Sequence, residues 1–82
     1  MEALATHLVK HIVQHPDELR AKAIEGDATI IVEMVVHPDD EERVRGENGR
    51  TLRAINTILS AAAGRRKATL DLVDADALGA EE

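Results

Sequence analysis

The chain has 82 residues, of which 44% are apolar, with no cysteine, no Phe, Tyr or Trp, and a formal net charge of −6. That length predicts one domain with an aliphatic core of Ala, Leu, Val, Ile and Met, and the missing cysteines exclude disulfides, thiol nucleophiles and Cys-ligated metal. No stretch is apolar enough to span a membrane and no signal-peptide pattern opens the sequence, so a soluble, cytoplasmic protein is expected.

Residues 2 to 15 carry Leu4, Ala5, Leu8, Val9, Ile12 and Val13 at helical spacing, one apolar stripe of an amphipathic helix that Pro16 stops. Leu19 to Ile24 reads as a short strand, and Glu25-Gly26-Asp27 supplies turn residues for a hairpin. Ala28 to Val36 is the strongest strand, with Ile30, Val32, Met34 and Val36 on one face and Thr29, Ile31, Glu33 and Val35 on the other. Pro38-Asp39-Asp40-Glu41-Glu42 predicts a second helix, because it joins a first-turn proline, an Asp cap and acids that complement the helix dipole. Arg43 and Arg45 complement its other end, before Gly46.

Arg50 to Ala63 predicts a third helix, with Leu52, Ile55, Ile58, Leu59 and Ala62 turned inward, Arg50, Arg53 and Thr57 outward, and Gly64 as its stop. Ala68, Leu70 and Leu72 then alternate with Thr69, Asp71 and Val73 in a last strand, and residues 75–82 read as a frayed acidic tail. The order α-β-β-α-α-β places the chain in the α+β class. Residues 1–74 form a single domain, with three helices on one face of a three-stranded sheet.

The charge is unevenly spread. Arg43, Arg45, Arg50, Arg53, Arg65, Arg66 and Lys67 lie between positions 43 and 67 with Glu47 the sole acid among them, which leaves that segment at +6 and the remainder at −12. Local potential steers a polyanion, so the acidic balance confines such a ligand to one face without excluding it. Within the basic segment, Gly46-Glu47-Asn48-Gly49 joins two helices. Glycines at both ends let a second backbone approach closely, and amides near Asn48 to Arg50, at the start of a helix, offer a seat for phosphate. A GxxG loop between helices that clamps a nucleic-acid backbone defines the KH domain. The plain alternative is that both glycines only end one helix and begin the next.

Other clusters carry less. His7, His11 and His15 recur every four residues, a polar helix shoulder or a stripe where two imidazoles share a metal, yet no carboxylate is brought to it and no metal or cofactor is assigned. His37 reads as a solvated loop residue. Ser60, the only serine, lies mid-helix with no base beside it, so catalysis is not expected. Arg65, Arg66 and Lys67 read as a solvated cluster at a helix C-terminus, with secondary electrostatic contacts as their functional alternative.

With these elements in place, the chain resembles the small stand-alone bacterial KH proteins of the KhpA type, with the type II KH arrangement. The likeness runs from about residue 2 to residue 74. It takes in His15-Pro16, the Gly26 turn, His37-Pro38-Asp39 and the segment from Val44 to Ile55. The resemblance implies single-stranded RNA held in a narrow groove, with its backbone over Gly46, Glu47, Asn48 and Gly49 and a few bases against aliphatic side chains, as in a small RNA chaperone or post-transcriptional regulator; the flanking Arg45, Arg50, Thr51 and Arg53 complete the candidate RNA-binding set, the arginines adding charge. The resemblance also implies a partner, a second, larger bacterial KH protein, while a homodimer is the alternative offered by the apolar residues of the sheet face.

The chain departs from the family pattern at Arg45, where Ile is usual, and at Glu47-Asn48, where a basic residue is common. A solvated Glu47 beside a phosphate costs up to about 1 kcal/mol, which the Arg45 fork is placed to offset. The absence of aromatic side chains agrees with a KH groove, which works by hydrogen bonds and aliphatic contact, and disagrees with the stacking surfaces of RRM and OB folds. The competing reading is a dimerisation module with little RNA affinity, seeded by Ile31, Val35 and Val73 on the open sheet face.

Overall fold

The computed structural model describes residues 1–79. Its elements are α1 (Glu2–Lys10), β1 (Arg20–Glu25), β2 (Thr29–Val35), α2 (Glu41–Arg45), α3 (Arg50–Ala63), β3 (Lys67–Leu72) and α4 (Ala75–Gly79), with single 3₁₀ turns at Pro16–Glu18, Pro38–Asp40 and Glu47–Gly49. The expected order of strands and helices is present, and the α+β class with it. The sheet runs β1-β2-β3, antiparallel between β1 and β2 and parallel between β2 and β3.

The period of two in β2 sorts the sheet's faces. Ile30, Val32 and Met34 are buried and Val36 nearly so, together with Ala68 and Leu70 of β3; they meet Ala5 and Val9 of α1, Val44 of α2 and Ile55 and Leu59 of α3. With no ring to fill space, close packing is reached by small aliphatic side chains and near approach of helix to sheet. The opposite face is open. Ile24 and Ile31 stand opposite each other in the β1–β2 register there, 45% and 40% exposed.

Several local expectations are corrected. The first helix ends at Lys10, before Pro16, because its final turn tightens: the Val9 carbonyl accepts from both Ile12 and Val13. The next two amides leave the helical pattern altogether. Gln14 and His15 each donate 3.0 Å to one oxygen of the Asp40 carboxylate. Asp40 is therefore no side-chain cap for α2. It is fully buried, and its Oδ1 also lies 3.8 Å from Arg43 Nε. The Asp39 amide is capped instead by His37 Nδ1, at 3.0 Å, so His37 is more than a solvated loop residue. On α3, Ile58 (46% exposed) and Ala62 face solvent, while Ala63 packs on the core. In the segment expected to fray, α4 forms and Leu78 is buried; positions 80–82 lie outside the described residues.

Burial pushes the Asp40 carboxyl up, but the Gln14 and His15 amides and the nearby His15 and Arg43 charges outweigh it and hold it below its ordinary value of 3.8. A carboxyl lowered by folding contributes stability above its unfolded value, and that contribution is lost as pH falls through the folded one. Asp40→Asn keeps the shape but turns an NH2 toward one of the two amides, donor against donor. The variant is expected to melt several degrees lower at pH 7. It should also lose less stability than the wild type between pH 5 and pH 2, as followed by urea unfolding in far-UV circular dichroism. Equal acid sensitivity in both proteins would show that Asp40 does not carry the pH dependence.

Candidate nucleic-acid interface

The helix α2 closes on Gly46, whose amide donates 2.8 Å to the Glu42 carbonyl. Gly46 sits at φ 75° and ψ 171°. A Cβ at this position would overlap the Thr51 side chain and lie 2.7 Å from the Thr51 backbone nitrogen. The first glycine is thus required by contact within the chain itself as well as by its dihedrals. Asn48 and Gly49 follow in the left-handed region, at φ 55° and 73°, a conformation Asn tolerates better than other non-glycine residues. Around Gly49 there is more room, since its Cβ would meet only Arg53 Nη1, at 3.3 Å.

Hydrogen bonds hold the turn in this shape. Gly49 N donates to Gly46 O at 3.1 Å, and the Arg50 amide donates to the Glu47 carbonyl. Of the amides expected to seat a phosphate, those of Gly49 and Arg50 are therefore committed inside the loop. Arg53 reaches back one turn along α3, and its Nη1 donates 2.7 Å to the Asn48 carbonyl. That bond braces the loop and leaves the cationic guanidinium beside it. Glu47, Asn48 and Arg50 project outward and are exposed.

The remaining basic residues divide. Arg45 lines a cleft of about 380 Å³ with Glu42, Gly46 and Glu47, while its Nη2 lies 3.8 Å from Glu41 Oε1. This contact is long and half exposed, so it restrains the guanidinium weakly. Arg66 is paired more closely, its Nη1 2.9 Å from Glu25 Oε1 at the end of β1. Arg65 is exposed. Lys67 opens β3 and lines a second cleft, about 450 Å³, together with Asn56, Thr57 and Ser60 of α3 and Ala68 and Thr69 of β3. The structure thus brings Gly46 to Arg53 together at one corner and sets Lys67 in a separate cleft along α3. Arg66 it directs to the hairpin.

Asn56 and Ser60 went unrecognised as contributors. Asn56 Oδ1 accepts from Leu70 N at 2.8 Å, and the Ser60 hydroxyl bonds both the carbonyl and the amide of Ala68, at 3.0 and 3.2 Å. These bonds satisfy the Ala68 amide and carbonyl and the Leu70 amide on the outer edge of β3, so side chains of α3 cover that part of the cleft wall. The available signal was their spacing: two polar residues at i and i+4, each directly after an inward residue of the Ile55 and Leu59 stripe.

The histidines do not form a single stripe. His7 and His11 remain together, ring centroids 4.8 Å apart and edge to face, whereas His15 lies beyond the end of α1 and stacks on His37 at 4.1 Å.

Comparison with known proteins agrees with this arrangement. The family model described as KhpA/KhpB, KH domain matches residues 2–73. The RNA-binding protein KhpA of Streptomyces coelicolor is 42% identical over 76 residues, covering 93% of this chain and 95% of its own. That of Leifsonia xyli subsp. xyli is 42% identical over 69 residues, with 84% and 91% covered. That of Halalkalibacterium halodurans is 36% identical over 76 residues, with 90% and 100% covered. Among solved structures, a GDP·AlF4−-bound form of Aquifex aeolicus Era superposes with a TM-score of 0.60 at 18% identity, over 90% of this chain and 31% of that longer one, a likeness of fold alone. With a glycine-bounded loop between α2 and α3, a three-stranded sheet in the expected order and a family match across nearly all of its length, the chain belongs to the KhpA/KhpB family of KH domains.

Proposed function

We propose that this protein binds single-stranded RNA, with the RNA backbone crossing the Gly46–Gly49 loop and bases running along the cleft between α3 and β3. The observation that carries the reading is the loop itself. Gly46 is bare because a side chain would strike Thr51, Asn48 and Gly49 turn the chain in the left-handed region, and Arg53 braces the turn. Such a turn lets a polyanion approach the backbone, with Arg50 and Arg53 supplying charge. The names of the relatives, RNA-binding protein KhpA, support the same class of ligand. In the cleft, Asn56, Thr57, Lys67 and Thr69 offer hydrogen bonds where other folds would stack an aromatic ring. The role is that of a cytoplasmic RNA chaperone or post-transcriptional regulator, acting by binding and not by catalysis.

The loop is best tested at its two exposed positions, because substitution of Gly46 would displace Thr51 and confound binding with folding. Glu47→Lys reverses a charge at the phosphate path. It should tighten binding of a labelled short RNA several-fold and steepen the dependence of log K on log salt by about 0.7 or more. Asn48→Asp keeps a residue suited to φ 55° and adds an anion. A like charge worth about 1 kcal/mol would weaken binding about 5-fold. Neither change should move the circular dichroism melt by more than a degree or two. Unaltered affinity in both variants would remove the loop from the contact surface.

A second reading, which accompanies the first, is assembly through the open sheet face, with a second copy or a larger KH protein. It is favoured by the Ile24–Ile31 pair, two large aliphatic side chains side by side in water. Pairing two short grooves also raises avidity for one RNA. Ile31→Glu should shift sedimentation toward the monomer, and an unchanged coefficient would place the interface elsewhere.

A further inference from the structure

We propose that His15, His37 and Asp39 form a surface binding site for a first-row transition-metal ion, with zinc as the reference ligand, and that Glu18 positions His37 within it. The three residues come from separate connections. His15 follows α1, while His37 and Asp39 bracket Pro38 ahead of α2. One donor atom from each lies within 4.8 Å of the others. Asp39 Oδ2 is 3.6 Å from His37 Nδ1 and 4.0 Å from His15 Nε2. Bonds of about 2.0–2.1 Å at a tetrahedral zinc place donors about 3.4 Å apart, so the two pairs through Asp39 need roughly 0.2 and 0.6 Å of closure, and the stacked His15 and His37 rings must turn from their near-parallel arrangement until both in-plane lone pairs meet the ion. Two imidazoles with one carboxylate suit zinc, nickel or copper and not magnesium or calcium, which take oxygen ligands.

The hydrogen bonds already present set His37 for this role. Its Nδ1 accepts from the Asp39 amide at 3.0 Å, so that nitrogen bears a lone pair and the proton of the neutral ring is on Nε2. Nε2 in turn faces Glu18 Oε2 at 3.7 Å. A carboxylate behind the distal nitrogen of a ligating imidazole is the usual second partner that fixes its tautomer and raises its basicity. Binding exchanges the Asp39 amide bond for the metal, and Asp39 is exposed, so water satisfies the released N–H. The half-exposed edge leaves a fourth position for water, and the carboxylates of Asp39, Glu18 and Asp40 give the site a negative potential toward a cation. An ion there would join the same two connections that the Asp40 carboxylate joins from inside, and would stabilise the fold as any ligand selective for the native state does.

The test is calorimetric titration of the full, untagged chain with zinc chloride, beside thermal melts at increasing zinc and histidine ring resonances by NMR. One-to-one saturable binding is expected, with a melting temperature that rises with zinc and with shifts at the His15 and His37 rings. His15→Asn should weaken affinity at least about 10-fold and Glu18→Gln about 10-fold, the loss typical for a group supporting a ligand. The His7→Asn, His11→Asn double variant should bind as the wild type does. Absence of saturable binding by the wild type overturns the proposal, and so does binding whose ring shifts fall on His7 and His11. Should His15→Asn fold poorly without metal, the ring shifts of the wild type still decide between these outcomes.

Discussion

Among the described residues, Asp40 is the one charged side chain taken fully out of water, and much of the architecture hangs on where its carboxylate points. Each oxygen takes one amide from the segment after α1, and these are the amides that would donate to the Lys10 and His11 carbonyls if that helix continued. The path of the first connection and its place against the start of α2 are thus tied to a single group. A buried carboxylate is costly unless its lone pairs are met, and here the backbone meets them from a distant part of the chain. Because α2 is short and runs directly into Gly46, whatever fixes its start also fixes the place of the loop.

This interaction also explains what could and could not be read from the sequence. Alternation in β2 and the stripe through Ile55 and Leu59 are local patterns with a large burial free energy behind them, and the structure follows the first residue by residue and the second at Leu52, Ile55 and Leu59, with Ile58 and Ala62 turned to solvent. The end of α1 is different. The apolar stripe continues through Ile12 and Val13, both of which do pack on the core, yet they do so from a tightened turn on the Val9 carbonyl, and the acceptor that takes the following Gln14 and His15 amides lies 26 and 25 residues away. The Asp cap expected within Pro38–Glu42 is not found at Asp40 for the same reason: an Asp after a proline at a helix start has a local use, and nothing local reveals the remote one. The separation of His15 from His7 and His11 is a consequence of the same break.

At the candidate RNA site, legibility divides by the same rule. The two glycines were visible as a pair, but their unequal roles were not, because the bar on a side chain at Gly46 comes from Thr51, a contact set by how α3 begins. The basic segment was visible too. Only coordinates separate Arg53, which bonds the loop, from Arg66, which spans to β1 and is spent on Glu25. Asn56 and Ser60 were hidden because their partners are backbone atoms of β3, and sequence carries no record of which strand edge a helix covers.

A KH loop with Glu in its interior is then less of a contradiction than it first looks. The turn is shaped by backbone conformation at Gly46, Asn48 and Gly49, by the Gly49–Gly46 hydrogen bond and by the brace from Arg53, and none of these involves the Glu47 side chain. Shape and charge are consequently independent at this corner. Shape sets whether a phosphate backbone can come near at all, which is a steric condition. The residue at 47, exposed to water and screened by salt, alters the strength of that approach by a fraction of a kcal/mol to about 1 kcal/mol. For the proposed RNA binding, such a loop lets affinity be adjusted without refolding, and a second groove brought in by the proposed partner would add avidity.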